Sequence, residues 1–349
     1  MPALALARAL VELDPHVEPV LVGALRGVEA SILPHHPYRH YLLPLEPVYR
    51  RQWWRNLRWP VLVWRIIREC NRLLAEEKPA VAVGTGGYTS GPVLLLASRR
   101  GVPILLQEQN AFPGLTTRRL ARRARAVFLG FPEAAAHLRP GRGTAVHCFG
   151  NPIIPPPIPR PGRREAREAL GIPQGTPVLL VTGGSQGARA INETVAHLVH
   201  SGSLEDSVLL WSTGRLSFEQ CRLLDAPPRR RVRAFWDPMS EAYAVSDLAI
   251  ARAGAMTTAE LCAWGLPSIL VPLPSAAAGH QTWNAEALAA AGAALHVLEA
   301  DLSPDHLVGL VRQLLRDPGT LARMGQAARA RGRPDAARKT ASAILAMMS

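Results

Sequence analysis

Two glycine-rich turns have the composition of phosphate cradles. Gly84-Thr-Gly-Gly-Tyr-Thr-Ser-Gly91 follows the apolar Ala80–Gly84, and Thr182-Gly-Gly-Ser-Gln-Gly-Ala188 follows Pro177–Thr182; each precedes a helix-like segment. Glycine lets the backbone approach a ligand closely, and a helix start favours an anion. Tyr88, Ser90 and Ser185 can add hydroxyl donors. The competing account is a tight strand–helix turn with no ligand, and neither stretch has the GxGxxG spacing of a dinucleotide site. Two matched turns at corresponding places favour a ligand. A third segment, Ala251-Arg-Ala-Gly-Ala-Met-Thr-Thr-Ala-Glu260, also follows a strand-like run. Thr257 and Thr258 suit a helix start, which puts Glu260 in the first turn. There it either caps the helix or accepts both vicinal hydroxyls of a ribose. His197 and His200 stand at i, i+3, but no Asp, Glu or Cys clusters with them, so they read as surface residues.

Short β-type runs alternate with helical patterns throughout, which implies doubly wound parallel sheets. The predicted strands of the first half are Glu18–Gly23, Ala80–Gly84, Pro103–Gln107, Ala126–Leu129 and Ala145–Phe149. Those of the second are Pro177–Thr182, Ser207–Ser212, Arg231–Trp236, Leu248–Ala251, Ser268–Pro272 and Ala293–Leu298. Runs such as VLLVT and SILVP are apolar throughout, as strands covered on both faces require. The proline-dense Asn151–Pro161 cannot continue a helix or central strand and marks a domain boundary. Two such domains facing each other would leave a ligand cleft at the carboxyl ends of their strands. The second half opens with a strand, its glycine turn and a helix. The first opens directly on a helix with Pro2 at its first position, so a preceding strand and turn are expected and the start reads as truncated.

The 349 residues suit about two domains, and 48% hydrophobic with 19% charged residues excludes disorder. No apolar run approaches the ~18 residues of a membrane span, and no signal peptide is evident. The four cysteines are scattered and read as buried, reduced thiols. The net charge of +13 comes almost wholly from arginine, with Lys78 and Lys339 the only lysines. It favours anionic lipid, nucleic acid or phosphorylated substrates. Four of the eight tryptophans lie among arginines in Tyr49–Trp64. Trp53 and Trp54, with Arg51 and Arg55, suit headgroup depth at a membrane. Trp64 is expected in the core, since Val63, Ile67, Cys70 and Leu74 continue a helical stripe. The arginine-rich Thr117–Arg125 reads as a charged helix face that can add to the attraction.

GTGGYTSGP, QEQNAFPGLT, GNP, TGGSQGARAIN, DPMSEAYAVSDLAIARAGAMTTAEL, GLPSILVPLP and GHQTWNA occur in one order. Together they resemble the bacterial peptidoglycan N-acetylglucosaminyltransferases of the MurG family, over nearly the whole chain from Pro2. The resemblance implies a GT-B fold, with two Rossmann-like domains facing across a cleft. Residues 1–152, completed by a C-terminal helix at 334–349, would bind acceptor and membrane, and 153–333 would bind UDP-GlcNAc. It implies inverting transfer of N-acetylglucosamine to the muramoyl 4-hydroxyl of undecaprenyl-diphospho-muramoyl-pentapeptide, the lipid I to lipid II step of peptidoglycan synthesis. The enzyme would sit peripherally on the cytoplasmic face of the cell membrane, at an anionic surface. No cofactor, metal or nucleic acid is implied, and no DxD pair is present to bridge a metal to the donor.

Residue by residue, Glu260 matches the family's ribose-binding carboxylate, and Ala255, Met256, Thr257, Thr258 and Ala259 the segment around the nucleotide and its phosphates. Ser185 matches a phosphate contact, Trp236 the position whose backbone reads uracil, and His280 with Gln281 the pair that holds the sugar hydroxyls. Asn110 matches a residue facing the transferred sugar. Gly86, Gly87, Tyr88 and Ser90 would meet the acceptor diphosphate, with Glu108 on the acceptor side. The family's GGTGGH loop and its histidine base would precede Pro2, so no catalytic base is assigned to this chain. Ile154 stands where the family commonly has arginine, and Arg160 or Arg163 can substitute through the linker. Two other activities stay open: a catalytically silent UDP-sugar-binding protein, and a UDP-GlcNAc epimerase on the same fold.

Overall fold

A computed structural model describes residues 2–27, 29–45, 59–184 and 187–348. The chain forms two compact units, one of Met1–Ile153 with Asp335–Ser349 and the other of Ile154–Pro334.

The first unit runs α1 (Pro2–Leu13), β1 (Val20–Ala24), α2 (Glu29–Ile32), β2 (Arg39–Leu43), α3 (Trp59–Glu77), β3 (Ala82–Gly84), α4 (Gly87–Arg99), β4 (Ile104–Glu108), α5 (Leu115–Leu120), β5 (Ala126–Leu129) and β6 (Ala145–His147). Among the described residues its strands form two parallel sheets, β1-β2 and β3-β4-β5-β6. Strand β2 has no counterpart among the predicted strands. Its sequence, RHYLL, opens on two polar residues, and only Leu43 is fully buried, so it carries little apolar signal. Strands β4 and β5 are buried at every position and form the centre of the larger sheet.

The second unit runs α6 (Arg163–Ala169), β7 (Val178–Thr182), α7 (Arg189–His200), β8 (Val208–Ser212), α8 (Phe218–Cys221), β9 (Arg230–Arg233), α9 (Met239–Val245), β10 (Leu248–Ala251), α10 (Ala255–Trp264), β11 (Ser268–Leu270), α11 (His280–Ala290), β12 (Ala294–His296), α12 (Pro304–Leu315) and α13 (Pro318–Arg331). Its parallel sheet has the order β12-β11-β10-β7-β8-β9. Strands β7, β8 and β10 are wholly buried, as their unbroken apolar runs require. Edge strand β9 is Arg-Arg-Val-Arg, with Val232 buried and the arginines half-exposed, a charged edge unsuited to further pairing. The chain then returns to the first unit as α14 (Ala336–Met348), which packs along α1.

Two sequence expectations are corrected. Trp64 does not enter the core: it is 60% exposed, with Val63 at 42% and Ile67 at 41%. Helix α3 buries Ile66, Cys70, Leu73 and Leu74 instead. At 3.6 residues per turn Trp64 lies roughly opposite Ile66. Nor are all the thiols buried: Cys148 is exposed, whereas burial pushes Cys70 up to about 11 and Cys262 up to about 12.

The turn after β7 shows what its glycines are for. A Cβ on Gly183 would strike the backbone N of Ala188, and one on Gly187 the carbonyl oxygen of Thr213. Gly187 also has φ +83°, a conformation costly for other residues. Gly187→Ala is therefore expected to cost at least about 2 kcal/mol, read as a lowered urea midpoint at unchanged slope.

Candidate functional site

Strands β7 and β10 lie side by side, with Thr182 opposite Ala251. Beyond β7 the sheet continues through β8 and β9 on one side, and beyond β10 through β11 and β12 on the other. The turns that leave these two strands therefore part from each other at the carboxyl edge. Such a switch point opens a crevice lined by backbone and helix starts. On one side Asn192 of α7 holds the end of β8: its amide donates to Thr213 O at 2.8 Å and accepts from Trp211 Nε1 at 2.9 Å. On the other side α10 begins at Ala255 after Gly254, which has no side chain to cap it. The first-turn N–H groups then carry the partial positive charge of the helix start to whatever lies outside.

The start of α10 differs from the sequence expectation in two ways. The helix begins at Ala255, so Glu260 falls in the second turn and is no cap. Its half-buried carboxylate instead accepts from the Tyr243 hydroxyl at 2.8 Å. Burial raises the Glu260 pKa above the ordinary carboxylate value, and the hydrogen bond from Tyr243 opposes that rise. Thr258 is 0% exposed; its hydroxyl donates to Gly254 O at 3.0 Å or Ala255 O at 3.1 Å, and its N–H to Gly254 O at 2.9 Å. It has no donor left for a nucleotide. Ala255, Met256, Thr257 and Ala259 are half-buried beside it.

The segment from β11 to α11 is fastened at both ends. Arg252 is buried; its guanidinium donates to Val271 O and Pro272 O, both at 3.1 Å, and pairs with Glu299. Gln281 Oε1 accepts from the N–H of Leu273 at 2.9 Å, and the buried Asn284 donates to Ala253 O at 3.1 Å. His280 opens α11 next to Gln281. Trp236 is fully buried under the Arg233 guanidinium, 4.0 Å from its ring centroid, so the residue can offer a ligand its backbone alone.

In the first unit the glycine turn enters α4, whose N-cap is Gly86 at φ +86°, followed by Gly87 at φ +77°. A Cβ on Gly86 would come within 2.8 Å of Gln109 Oε1. Ser90 is not a free donor, since its hydroxyl donates to Gly86 O at 3.0 Å or Gly87 O at 3.1 Å. Glu108, expected on the acceptor side, is turned into its own loop. It is 2% exposed and accepts from Asn110 N at 3.1 Å, Asn110 Nδ2 at 3.3 Å and Gly114 N at 2.9 Å. Both oxygens shape the loop that carries Asn110. Asn151 closes the same loop by donating to Gln109 O at 2.9 Å.

Both linker arginines, the expected substitutes for the arginine absent at Ile154, are engaged within the second unit. Arg160 donates to Ala263 O at 2.7 Å and Trp264 O at 3.4 Å, at the far end of α10, and Arg163 holds Asp247 and Val245 O. Ser185, Trp53, Trp54, Arg51 and Arg55 lie outside the described residues, as does the side chain of Tyr88. The sequence reading passed over Tyr243, Arg252, Asn284 and Asn151. All four occur within the quoted motifs, but their partners are distant in sequence, so spacing gave no signal.

This fold and site define a GT-B glycosyltransferase. Residues 1–129 match the glycosyltransferase family 28 N-terminal domain and residues 178–340 its C-terminal domain. The chain is 41% identical to a UDP-N-acetylglucosamine–N-acetylmuramyl-(pentapeptide) pyrophosphoryl-undecaprenol N-acetylglucosamine transferase of Salinibacter ruber, over 99% of this chain and 93% of the relative. The crystal structure of Acinetobacter baumannii MurG superposes with a TM-score of 0.77 at 28% identity, over 99% of this chain and 95% of that one. The chain belongs to the MurG family. A UDP-GlcNAc 2-epimerase from Neisseria meningitidis, at 15% identity and TM-score 0.64 over 99% of this chain and 97% of that one, shares the fold alone.

Thr258→Val separates a structural hydroxyl from a ligand contact. It is expected to cost about 1 kcal/mol of stability while UDP affinity, measured by calorimetry, stays within about twofold of the parent.

Proposed function

We propose that this chain transfers N-acetylglucosamine from UDP-GlcNAc to the 4-hydroxyl of the muramoyl sugar in undecaprenyl-diphospho-muramoyl-pentapeptide. The acceptor oxygen bonds to the anomeric carbon as the bond from that carbon to the UDP oxygen breaks. The configuration inverts, the electron pair leaves with UDP, and the hydroxyl proton passes to a general base. Within the second unit, the start of α10, preceded by Gly254 at the β7/β10 switch point, stabilises the charge that grows on the departing diphosphate. Its placement is the observation that carries the reading. Glu260 takes the ribose hydroxyls, the backbone at Trp236 the uracil, and His280 with Gln281 the sugar. In the first unit, the backbone at Gly86 and Gly87 meets the acceptor diphosphate, and Asn110, on the loop organised by Glu108, faces the transferred sugar.

The anionic membrane surface belongs to the same reading. Among the described residues, no helix is long and apolar enough to cross a membrane. Helix α3 nevertheless exposes Val63, Trp64 and Ile67 beside Arg65 and Arg68, with the Arg68 guanidinium 4.9 Å from the Trp64 ring centroid. Apolar rings flanked by arginines suit the headgroup boundary, and the net charge of +13 adds attraction to the cytoplasmic leaflet.

Glu260→Ala is expected to weaken UDP binding by about 1–3 kcal/mol and to lower transfer from labelled UDP-GlcNAc to a lipid-linked acceptor; unchanged UDP affinity in calorimetry would count against the ribose contact. Replacing Trp64 and Ile67 together by alanine should reduce co-sedimentation with anionic vesicles several-fold, roughly in proportion to the apolar surface withdrawn. Equal sedimentation of parent and variant would remove α3 from the membrane face.

A further inference from the structure

We propose that Tyr243 is a positioning residue for the nucleotide sugar: its hydroxyl fixes one oxygen of the Glu260 carboxylate and leaves the other for the ribose hydroxyls. The inference rests on the ribose reading of Glu260 given above.

Three observations place the phenol where it can do this. Its oxygen donates to Glu260 Oε2 at 2.8 Å. Its ring, on α9, is buried and lies 6.0 Å from the Trp264 ring at the far end of α10, tilted by 37°. Trp264 is backed by the Arg160 guanidinium, 5.5 Å from its centroid, and Arg160 also donates to Ala263 O at 2.7 Å. On the α9 side, Arg163 donates to Val245 O at 3.2 Å. The phenol is thus clamped to both helices. A glutamate side chain has several rotatable bonds whose freedom a ligand would otherwise have to quench on binding. Tyr243 removes part of that freedom beforehand.

The same bond acts on the charge of the carboxylate. Burial raises the Glu260 pKa, and the donated hydrogen bond is the influence that opposes it. The Tyr243 pKa is itself raised well above its ordinary value, by burial first and then by the Glu260 charge, so the phenol stays a donor throughout the neutral range. Other charged groups on the elements packed against α10 are engaged elsewhere or stand apart. Arg331 and Arg333, at and beyond the end of α13, act on Cys262, and Arg160 on the carbonyls that end α10. The remaining charged groups on these elements are Glu241 on α9, Arg323 and Arg329 on α13, and His280 and Glu286 on α11, while burial and the Tyr243 hydrogen bond are what shift Glu260. An ionised carboxylate accepts two ribose hydroxyls, whereas a protonated one must spend an oxygen as a donor. Affinity should therefore fall as pH drops through the Glu260 pKa, and the Tyr243 hydroxyl holds that limb at lower pH.

The test is calorimetric titration of the full chain with UDP and with 2′-deoxy-UDP from about pH 5 to about pH 8, for the parent, Tyr243→Phe and Glu260→Ala. Y243F is expected to weaken UDP binding about tenfold, to narrow the preference for UDP over its 2′-deoxy analogue, and to move the acid limb to higher pH. In steady state its KM for UDP-GlcNAc should rise more than its kcat falls. Parent affinity, parent preference and an unmoved acid limb in Y243F, with E260A weakened, would overturn the proposal. Parent affinity in E260A would overturn the ribose reading itself, and the two failures are told apart by which variant stays unchanged. If Y243F does not fold, 3-fluorotyrosine in place of the five tyrosines makes the phenol a stronger donor. The acid limb should then move to lower pH, and a limb that stays put refutes the role.

Discussion

The peptide groups at the start of α10 cannot all be satisfied inside the helix, and the parting of β7 from β10 leaves them facing outward. Position 254 is a glycine with no side-chain oxygen to turn back on the first turn, so the N-cap residue itself occupies none of those N–H groups. A capping serine or aspartate there would stabilise the helix locally while occupying the donors that make the place attractive to an anion. The fold bears this local cost because the helix is secured elsewhere. Its far end closes on Gly265 in the left-handed conformation, and Arg160 donates to its last carbonyls.

Around this opening, touching and holding are assigned to different side chains. Thr258, Asn192, Arg252 and Asn284 are buried, and their polar atoms are spent on carbonyls or side chains of neighbouring turns. Glu108 and Asn151 do the same for the loop after β4. Buried polar groups are expensive unless paired, so each such bond favours one arrangement of its loop over the alternatives. The result is a set of backbone segments that need little rearrangement to receive a charged ligand, which is the condition for electrostatic stabilisation of a leaving group.

The alternation of strand and helix was plain in the sequence because β4, β5, β7, β8 and β10 are buried on both faces and each opens on three or more consecutive apolar residues. Strand β2 escaped because it is short and begins with arginine and histidine. Strand ends shifted where Pro272 cannot donate to a neighbour and on β9, which ends at Arg233 with one further backbone bond, from Gly214 N to Ala234 O. For the site, motif order singled out the turns and Glu260 as candidates, but it could not tell a hydroxyl free to meet a ligand from one that faces its own helix. Ser90 and Thr258 are of the second kind. Trp64 was misplaced because two apolar arcs overlap on α3, and only packing decides which of them is covered.

The first unit is assembled from both flanks of the second. Its core gathers Ala9 and Leu10 of α1, Leu105, Ala126 and Phe128 of the sheet, and Ala341 and Ile344 of α14. The intervening lobe, Ile154–Pro334, draws its core from one unbroken stretch of chain, whereas the first unit closes only when two segments far apart in sequence meet. A cut in the chain between α13 and α14 would therefore strip the first unit of part of its interior and leave the core of the other lobe whole.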